Sequence, residues 1–163
     1  MQRSDIHIKV AGKKDQEFLY EMLYQSIYQP PGTAKPDRDI IFLPEISKYV
    51  AHWGRPGDFA LIALDAQGNQ LAAVWLRYFS SDNKGYGYIS DDIPEIGIAV
   101  DEAQRGKGVG SILLEKLLKR TKQQVPSISL SVQTANPAMR LYEKFGFQVW
   151  SKADGAVIMR RNR

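Results

Sequence analysis

The chain contains no cysteine, and its 163 residues include only two histidines, His7 and His52. Without cysteine the protein can form no disulfide bond and has no thiol nucleophile. The two histidines do not have the spacing of metal ligands, so a zinc site or a histidine-based catalytic triad is not expected. The sequence therefore predicts no metal, and any catalysis is expected to depend on other side chains.

Long runs of a single residue class are also missing. No apolar run approaches the ~20 residues that a membrane-spanning helix needs, and residues 1–7 do not resemble a secretory signal. The net charge is +4, but the basic residues are scattered, and the tail at 160–163 is typical of a solvated terminus. We therefore expect a cytoplasmic protein with no membrane partner and no nucleic-acid partner.

The residues that are present predict one mixed α/β domain covering 1–163. Hydrophobic residues make up 44% of the chain and charged residues 25%, which are ordinary globular values. Apolar periodicity predicts the order β-α-α-β-β-β-α-β-α-β-β. The predicted helices begin at residues 15, 44, 109 and 136, and turns at 66–69 and 154–155 predict two hairpins. The second helix is expected to run over 44–53.

Two segments have no clear period. Residues 29–44 are rich in proline and charge, and a loop of this length in a compact domain often serves binding. Residues 80–93 carry Tyr86 and Tyr88, which either line a substrate pocket or extend the neighbouring strands.

The most informative stretch is a strand, a glycine-rich turn and a helix. The strand is Glu-Ile-Gly-Ile-Ala-Val at 95–100, and the turn that follows is Arg-Gly-Lys-Gly-Val-Gly at 105–110. Glycine allows a sharp turn, and the first turn of a helix has free N–H groups that attract phosphate. Arg105 and Lys107 add two positive charges beside this turn.

Two well-known phosphate-binding loops do not match this turn. The P-loop pattern would need glycine at Asp101 and serine or threonine at Gly108, and both positions differ. The dinucleotide-binding pattern, started at Gly106, would need its final glycine where Ser111 stands. The turn is therefore either an anion-binding loop of another kind or a tight connection that only packs well.

The turn resembles the Arg/Gln-x-x-Gly-x-Gly/Ala cofactor loop of the GNAT superfamily of N-acetyltransferases. The strand at 95–100 and the Asn-Pro-Ala-Met-Arg-Leu-Tyr-Glu-Lys-Phe-Gly-Phe segment at 136–147 resemble that family's other signatures. The strong similarity covers about residues 93–150. The resemblance implies a GNAT-like fold, with a central, mostly antiparallel sheet flanked by about four helices, in which the fourth and fifth strands separate to admit acetyl-CoA.

The resemblance also implies which residues hold acetyl-CoA as cosubstrate. The pantetheine arm would pair with the main chain of the fourth strand, and the pyrophosphate would lie on the loop amides. Asn136 and Tyr142 match the family's cofactor-contacting asparagine and its general acid for the coenzyme A thiolate. The cofactor-binding residues predicted in this way are Ile98, Ala99, Val100, Arg105, Gly106, Lys107, Gly108, Val109, Gly110, Asn136 and Tyr142.

The strand at 95–100 also carries a candidate base. Alternation places Glu95, Gly97 and Ala99 on one face, where small residues beside a carboxylate should leave a narrow space. Transfer to an amine requires its deprotonation, so Glu95, acting through water, is the predicted base. A solvated carboxylate at a strand end is the alternative reading, and Asp91 and Asp92 are reserve candidates.

Two functions remain open from the sequence. One is direct acetyl transfer from acetyl-CoA to a primary amine, small molecule or peptide, in a ternary complex. The other is a non-catalytic acetyl-CoA-binding sensor or interaction module, which would need the loop but not Tyr142. Tyr142 can also be read as an apolar packing residue of its helix.

The resemblance makes a homodimer possible, and acidic residues near Glu95 suggest a cationic acceptor.

Overall fold

The computed structural model describes residues 5–163. Within this range a single seven-stranded sheet has the strand order β1-β2-β3-β4-β5-β7-β6. All neighbouring strands are antiparallel except β4 and β5, which are parallel. The strands are β1 His7–Val10, β2 Phe59–Leu64, β3 Gln70–Arg77, β4 Glu95–Val100, β5 Ser127–Gln133, β6 Gln148–Ala153 and β7 Ala156–Asn162.

Four α-helices accompany this sheet in the described residues. They are α1 Gln16–Ser26, α2 Pro44–Ser47, α3 Val109–Thr121 and α4 Met139–Lys144, and short 3-10 helices occupy Lys13–Asp15, Arg38–Phe42 and Glu102–Gln104. The order of strands and α-helices confirms the predicted order. No helix within residues 5–163 is long and apolar enough to cross a membrane.

The prediction for the second helix is wrong in length. Regular α-helix ends at Ser47, and turns continue to His52, whose φ of +55° lies in the left-handed region. An L-residue with a side chain rarely adopts that conformation, and a helix cannot pass through it. The expected helix over 44–53 is therefore one α-helical turn followed by a compact turn segment.

Both predicted hairpin turns are present. Asp154 and Gly155 have φ values of +47° and +79°, as a tight two-residue turn between β6 and β7 requires. In the turn between β2 and β3, the Asp65 carboxylate accepts hydrogen bonds from the amides of Gln67 and Asn69. These local side-chain contacts explain why the turn composition at 66–69 was a reliable signal.

The core lies on both faces of the sheet. On one face, the apolar side chains of α3 pack against β2 to β5 and β7, and α4 covers the edge of this cluster. On the other face, α1, α2 and the turn segment after α2 pack against β2, β3 and β4. Because β4 alternates, Ile96 and Ile98 face the α3 side, whereas Ala99 faces the α1 side.

The fourth and fifth strands separate immediately after they meet. Glu95 and Ser129 are the paired residues of β4 and β5, and the pairing does not extend to the rest of β4. On its other side β4 pairs with β3 without interruption from Glu95 to Val100. The predicted separation of the fourth and fifth strands is therefore confirmed, and β4 has no bulge that would alter its two faces.

Candidate active site

The loop before α3 has main-chain N–H groups without a main-chain partner among residues 5–163. Gly106 and Gly108 have φ values of +80° and +81°, and α3 begins at Val109 immediately after Gly108. Within the described residues, the amides of 106–110 donate to no other main-chain group. The amide of Arg105 donates weakly to the carbonyl of Glu102, at 3.4 Å. Five amides at the start of a thirteen-residue helix thus remain available to an anion.

The two basic side chains of the loop have different environments. The Arg105 guanidinium donates to the carbonyl oxygens of Val100 at 3.1 Å and Gln25 at 3.2 Å, so it joins the end of β4 to the end of α1. Lys107 is exposed and donates to the side chain of Gln104. Arg105 therefore fixes the loop in place, and Lys107 is the exposed charge beside the amides.

The helix carrying Tyr142 lies next to this loop. An added Cβ at Gly110 would lie 3.5 Å from Cγ2 of Val100 and 4.0 Å from Cδ2 of Leu141, so the end of β4, the start of α3 and α4 meet there. The Asn136 side chain accepts a hydrogen bond from the amide of Ala138 at 2.9 Å. This contact caps the turn that leads into α4, although regular α-helix begins only at Met139.

Tyr142 packs through its ring and leaves its oxygen unused. The ring is partly buried against the α3-side core, 6.0 Å from the ring of Phe147 in an edge arrangement. The phenolic oxygen makes no hydrogen bond to any residue among 5–163. Burial raises the pKa of Tyr142 to about 12, so the phenol stays protonated at neutral pH and can act as a donor.

Glu95 is buried, with 3% of its surface exposed. Its Oε1 atom accepts hydrogen bonds from the amide of Gly87 at 2.9 Å and from the hydroxyl of Tyr49 at 2.9 Å. Burial raises the pKa of the carboxyl above its ordinary range, and these two hydrogen bonds together with the charge of Lys48 offset part of that rise. The reading of Glu95 as a solvated strand-end carboxylate is therefore wrong.

The narrow space expected beside Glu95 is filled. A Cβ at Gly97 would lie 2.4 Å from Cε2 of Trp75, so the indole of Trp75 rests directly on Gly97. The small residue at 97 makes room for a side chain of the neighbouring strand, so the space directly over Gly97 is taken by the Trp75 indole. The alternation that assigned the faces was right, but a single strand cannot show what its neighbour places there.

The segment between β3 and β4 closes over Glu95. Gly85 and Gly87 lie so close that an added Cβ would be 2.0 Å from Oε2 and 3.0 Å from Oε1 of Glu95, respectively. Tyr86 stacks on Tyr49 with ring centroids 6.5 Å apart, and its amide donates to the Tyr49 hydroxyl. Tyr86 therefore lies beside the Glu95 site. The alternative that these tyrosines extend the strands is wrong.

The two reserve candidates for the base lie at the surface of the protein. Asp91 and Asp92 are exposed, and Asp91 accepts a hydrogen bond from the Tyr88 hydroxyl.

Two grooves lie on the surface. A groove of about 580 Å³ is lined by Asp92 with Arg160 and Arg163, and another of about 500 Å³ is lined by Lys48 and Arg55. Neither groove is lined by Glu95, Tyr142 or the loop at 105–110, so both lie outside the candidate active site.

Sequence reasoning missed three residues of this region. Tyr49 holds the Glu95 carboxylate, Trp75 covers Gly97, and the Tyr28 hydroxyl donates to the carbonyl of Ala135 at 3.1 Å, which joins the end of α1 to the start of the α4 segment. Each contact spans more than 20 residues in the chain, and no local pattern marks it. That the loop at 29–44 takes part in binding remains a prediction.

No group of three or more histidine, cysteine or acidic side chains in residues 5–163 is arranged to hold a metal ion.

Comparison with known families gives a decisive match. Residues 20–147 match the model of the "Acetyltransferase (GNAT) family". The chain belongs to this family. The match includes the loop, β4, α4 and the residues that cover Glu95, and it makes the protein an acyltransferase by family.

Individual relatives agree with the family assignment. A candidate phosphinothricin acetyltransferase from Bacillus subtilis (strain 168) is 34% identical over 101 residues. That similarity covers 60% of this chain and only 58% of the relative, so it does not extend the relative's substrate to this protein.

Solved structures show the same fold. A GCN5-related N-acetyltransferase from Kribbella flavida has a TM-score of 0.69 at 17% identity and covers 99% of this chain and 100% of its own. An N-acetyltransferase from Thermoplasma acidophilum, solved in complex with coenzyme A, has a TM-score of 0.65 at 19% identity and covers 97% and 99%.

Proposed function

We propose that the chain, as one domain, transfers the acetyl group of acetyl-CoA directly to a primary amine in a ternary complex. The observation that carries this proposal is the position of two proton-transfer candidates around the gap between β4 and β5. Glu95 projects to the α1 side of the sheet, and Tyr142 packs on the α3 side. An amine can approach from one face while a thiol departs towards the other.

The residues around the gap fit acetyl-CoA as cosubstrate. The amides of 106–110 suit its pyrophosphate, and the unpaired side of β4 from Ile98 to Val100 suits the amide groups of the pantetheine arm. Asn136 lies at the start of the segment that brings Tyr142 next to the loop. The Thermoplasma structure, which has the same fold, was solved in complex with coenzyme A, and this supports acetyl-CoA as the kind of cosubstrate.

Two side chains would handle the protons. Glu95 would take a proton from the amine, directly or through water, because its raised pKa makes it a stronger base than an ordinary glutamate. Tyr142 would donate to the sulfur as the C–S bond breaks, since its phenol stays protonated and its oxygen has no hydrogen-bond partner among residues 5–163.

A non-catalytic acetyl-CoA sensor is the other candidate function. Such a module would need the loop amides, but it would have no use for a phenolic hydroxyl without a structural partner. Because the Tyr142 oxygen has no partner in the part of the chain that the structure describes, it favours the enzyme. The acceptor is proposed to be a small-molecule primary amine, and phosphinothricin, for which the Bacillus relative is named, is the first compound to test.

Gly108→Asp is expected to abolish measurable acetyl-CoA binding or to weaken it at least about tenfold. The new carboxylate would stand at the first turn of α3, where it would repel the phosphates and occupy their amides. Isothermal titration with acetyl-CoA measures the change.

Gly68→Asp is the matched control for this substitution. Gly68 has a φ of +85° against +81° for Gly108, and an added Cβ at either position meets no atom within 4 Å. Both substitutions should therefore destabilise the main chain by a similar free energy. Gly68, however, lies in the turn between β2 and β3 and not in the loop before α3. If both variants are folded and bind acetyl-CoA equally well, the loop is not the phosphate site.

A further inference from the structure

Three buried polar side-chain atoms have no hydrogen-bond partner within residues 5–163. They are Nε1 of Trp75, Oε2 of Glu95 and Oγ of Ser129, and their residues are 1%, 3% and 0% exposed. A buried polar atom without a partner costs about 1–3 kcal/mol, so native proteins rarely retain one without a reason. Here all three such atoms belong to one part of the sheet.

The three atoms lie on adjacent strands and on one face. Trp75 pairs with Gly97 in β3 and β4, and Glu95 pairs with Ser129 in β4 and β5. Paired residues point to the same side of a sheet, and Gly97 shares a face with Glu95. Nε1 of Trp75 would lie 2.7 Å from a Cβ on Gly97, which is about 7 Å along β4 from Glu95, and Ser129 lies about 5 Å across from Glu95.

The chemistry of the three atoms is complementary to an acetyl transfer. An indole N–H can only donate a hydrogen bond, an ionised carboxylate oxygen can only accept, and a hydroxyl can do both. An amine attacking a thioester has N–H groups that need acceptors and a carbonyl oxygen that gains negative charge and needs a donor. The gap between β4 and β5 opens from the Glu95–Ser129 pair, and Trp75 pairs with Gly97, two residues along β4 from Glu95, so the three residues lie at the closed end of the gap.

We propose that Trp75, Glu95 and Ser129 together hold the reacting centre, with the Trp75 N–H donating to the acetyl carbonyl oxygen. This inference rests on the proposed acetyl transfer. As the amine nitrogen forms its bond to the carbonyl carbon, Glu95 Oε2 takes one amine proton and Ser129 Oγ accepts a hydrogen bond from the other. The electron pair of the breaking C–S bond goes to the sulfur, and the Tyr142 hydroxyl gives the sulfur its proton. Trp75 is therefore a catalytic residue and Ser129 binds the acceptor.

The test replaces only the indole N–H. Trp53 and Trp150 are the other two tryptophans of the chain, so a Trp53→Phe, Trp150→Phe background leaves Trp75 as the single tryptophan. Incorporation of 3-benzothienylalanine in this background puts sulfur at the N–H position and keeps the size of the ring. We expect kcat to fall about 10²- to 10³-fold relative to the same background with tryptophan, with unchanged acetyl-CoA affinity, because a donor to a developing oxyanion is lost.

Substitutions with standard amino acids provide a second test of the role of Trp75. Trp75→Phe and Trp53→Phe remove the same atoms from buried positions in the same α1-side cluster. If the role of Trp75 is only packing, both variants lose similar stability and neither loses kcat selectively. We expect a selective loss of kcat in Trp75→Phe. Ser129→Ala is expected to raise KM for the amine about tenfold without a change in acetyl-CoA affinity.

The outcomes separate this inference from the proposed function. If the wild-type protein turns over and the benzothienyl protein keeps the kcat of its tryptophan counterpart, the role of Trp75 is wrong and acetyl transfer stands. That result would also follow if the three atoms only bound a structural water. If the wild-type protein acetylates no amine, the proposed function and this inference fail together.

Discussion

Glu95→Gln is expected to lower turnover about 10²- to 10⁴-fold at neutral pH and to leave acetyl-CoA affinity nearly unchanged. Glutamine keeps an oxygen where Oε1 accepts from Gly87 and Tyr49, so the local structure has no reason to change. It cannot take a proton from an ammonium group, and loss of a positioned base usually costs a factor in this range.

The pH profile is the more specific part of this prediction. Burial raises the pKa of Glu95, and only the ionised form is a base, so wild-type activity should rise with pH through a value above the ordinary glutamate range. Glu95→Gln should lack this acid limb. Its activity should recover partly at high pH, as the amine, with a pKa near ~10, loses its proton unaided.

Asp91→Asn and Asp92→Asn serve as controls, because both carboxylates are exposed and precede Glu95 by only a few residues. We expect both variants to keep the wild-type profile. If Glu95→Gln keeps the acid limb and one of these variants loses it, the base is the aspartate concerned.

Tyr142→Phe is expected to fold normally, bind acetyl-CoA nearly as well as wild type and turn over about 10²-fold more slowly. The substitution removes one oxygen that has no partner in residues 5–163 and keeps the ring contact with Phe147, so little stability should be lost. A hydrogen bond to a charged group contributes about 1.5–3 kcal/mol, which corresponds to about 10- to 150-fold in rate.

Tyr20→Phe is a matched control for Tyr142→Phe. Tyr20 is also partly buried, its ring lies 5.9 Å from the ring of Phe42, and its hydroxyl makes no hydrogen bond among the described residues. We expect wild-type turnover from this variant. The loss in Tyr142→Phe should shrink with a thioester whose leaving thiol is more acidic. Equal rates for both variants, with chemistry rate-limiting, would show that Tyr142 only packs.

Local signals were sufficient for most of the fold. The glycines at 106 and 108 adopt the left-handed conformation that the turn requires, and Asn136 caps the segment before α4. The separation of β4 from β5 has no local signal in the chain, and it was predicted only through the family resemblance. The length of α2 was misjudged because the conformation of His52 is set by its surroundings and not by its own propensity.

The environment of Glu95 could not be predicted. Its burial depends on Tyr49, Gly85 and Gly87, which reach it from the turn after α2 and from the β3–β4 segment. Likewise, the indole of Trp75 occupies the space above Gly97 only because the register of β3 and β4 places the two residues opposite each other. Contacts of this kind belong to the tertiary structure and leave no periodic trace in the sequence.

Turnover with acetyl-CoA tests the central claim most directly. The protein is incubated with acetyl-CoA and a panel of primary amines that begins with phosphinothricin and includes polyamines and amino acids. Release of free thiol is followed together with the mass of each amine. We predict that thiol is released only in the presence of one class of amine and that this amine gains one acetyl group. Tight binding of acetyl-CoA with no acetylated amine across the panel would contradict the proposal and identify a binding module.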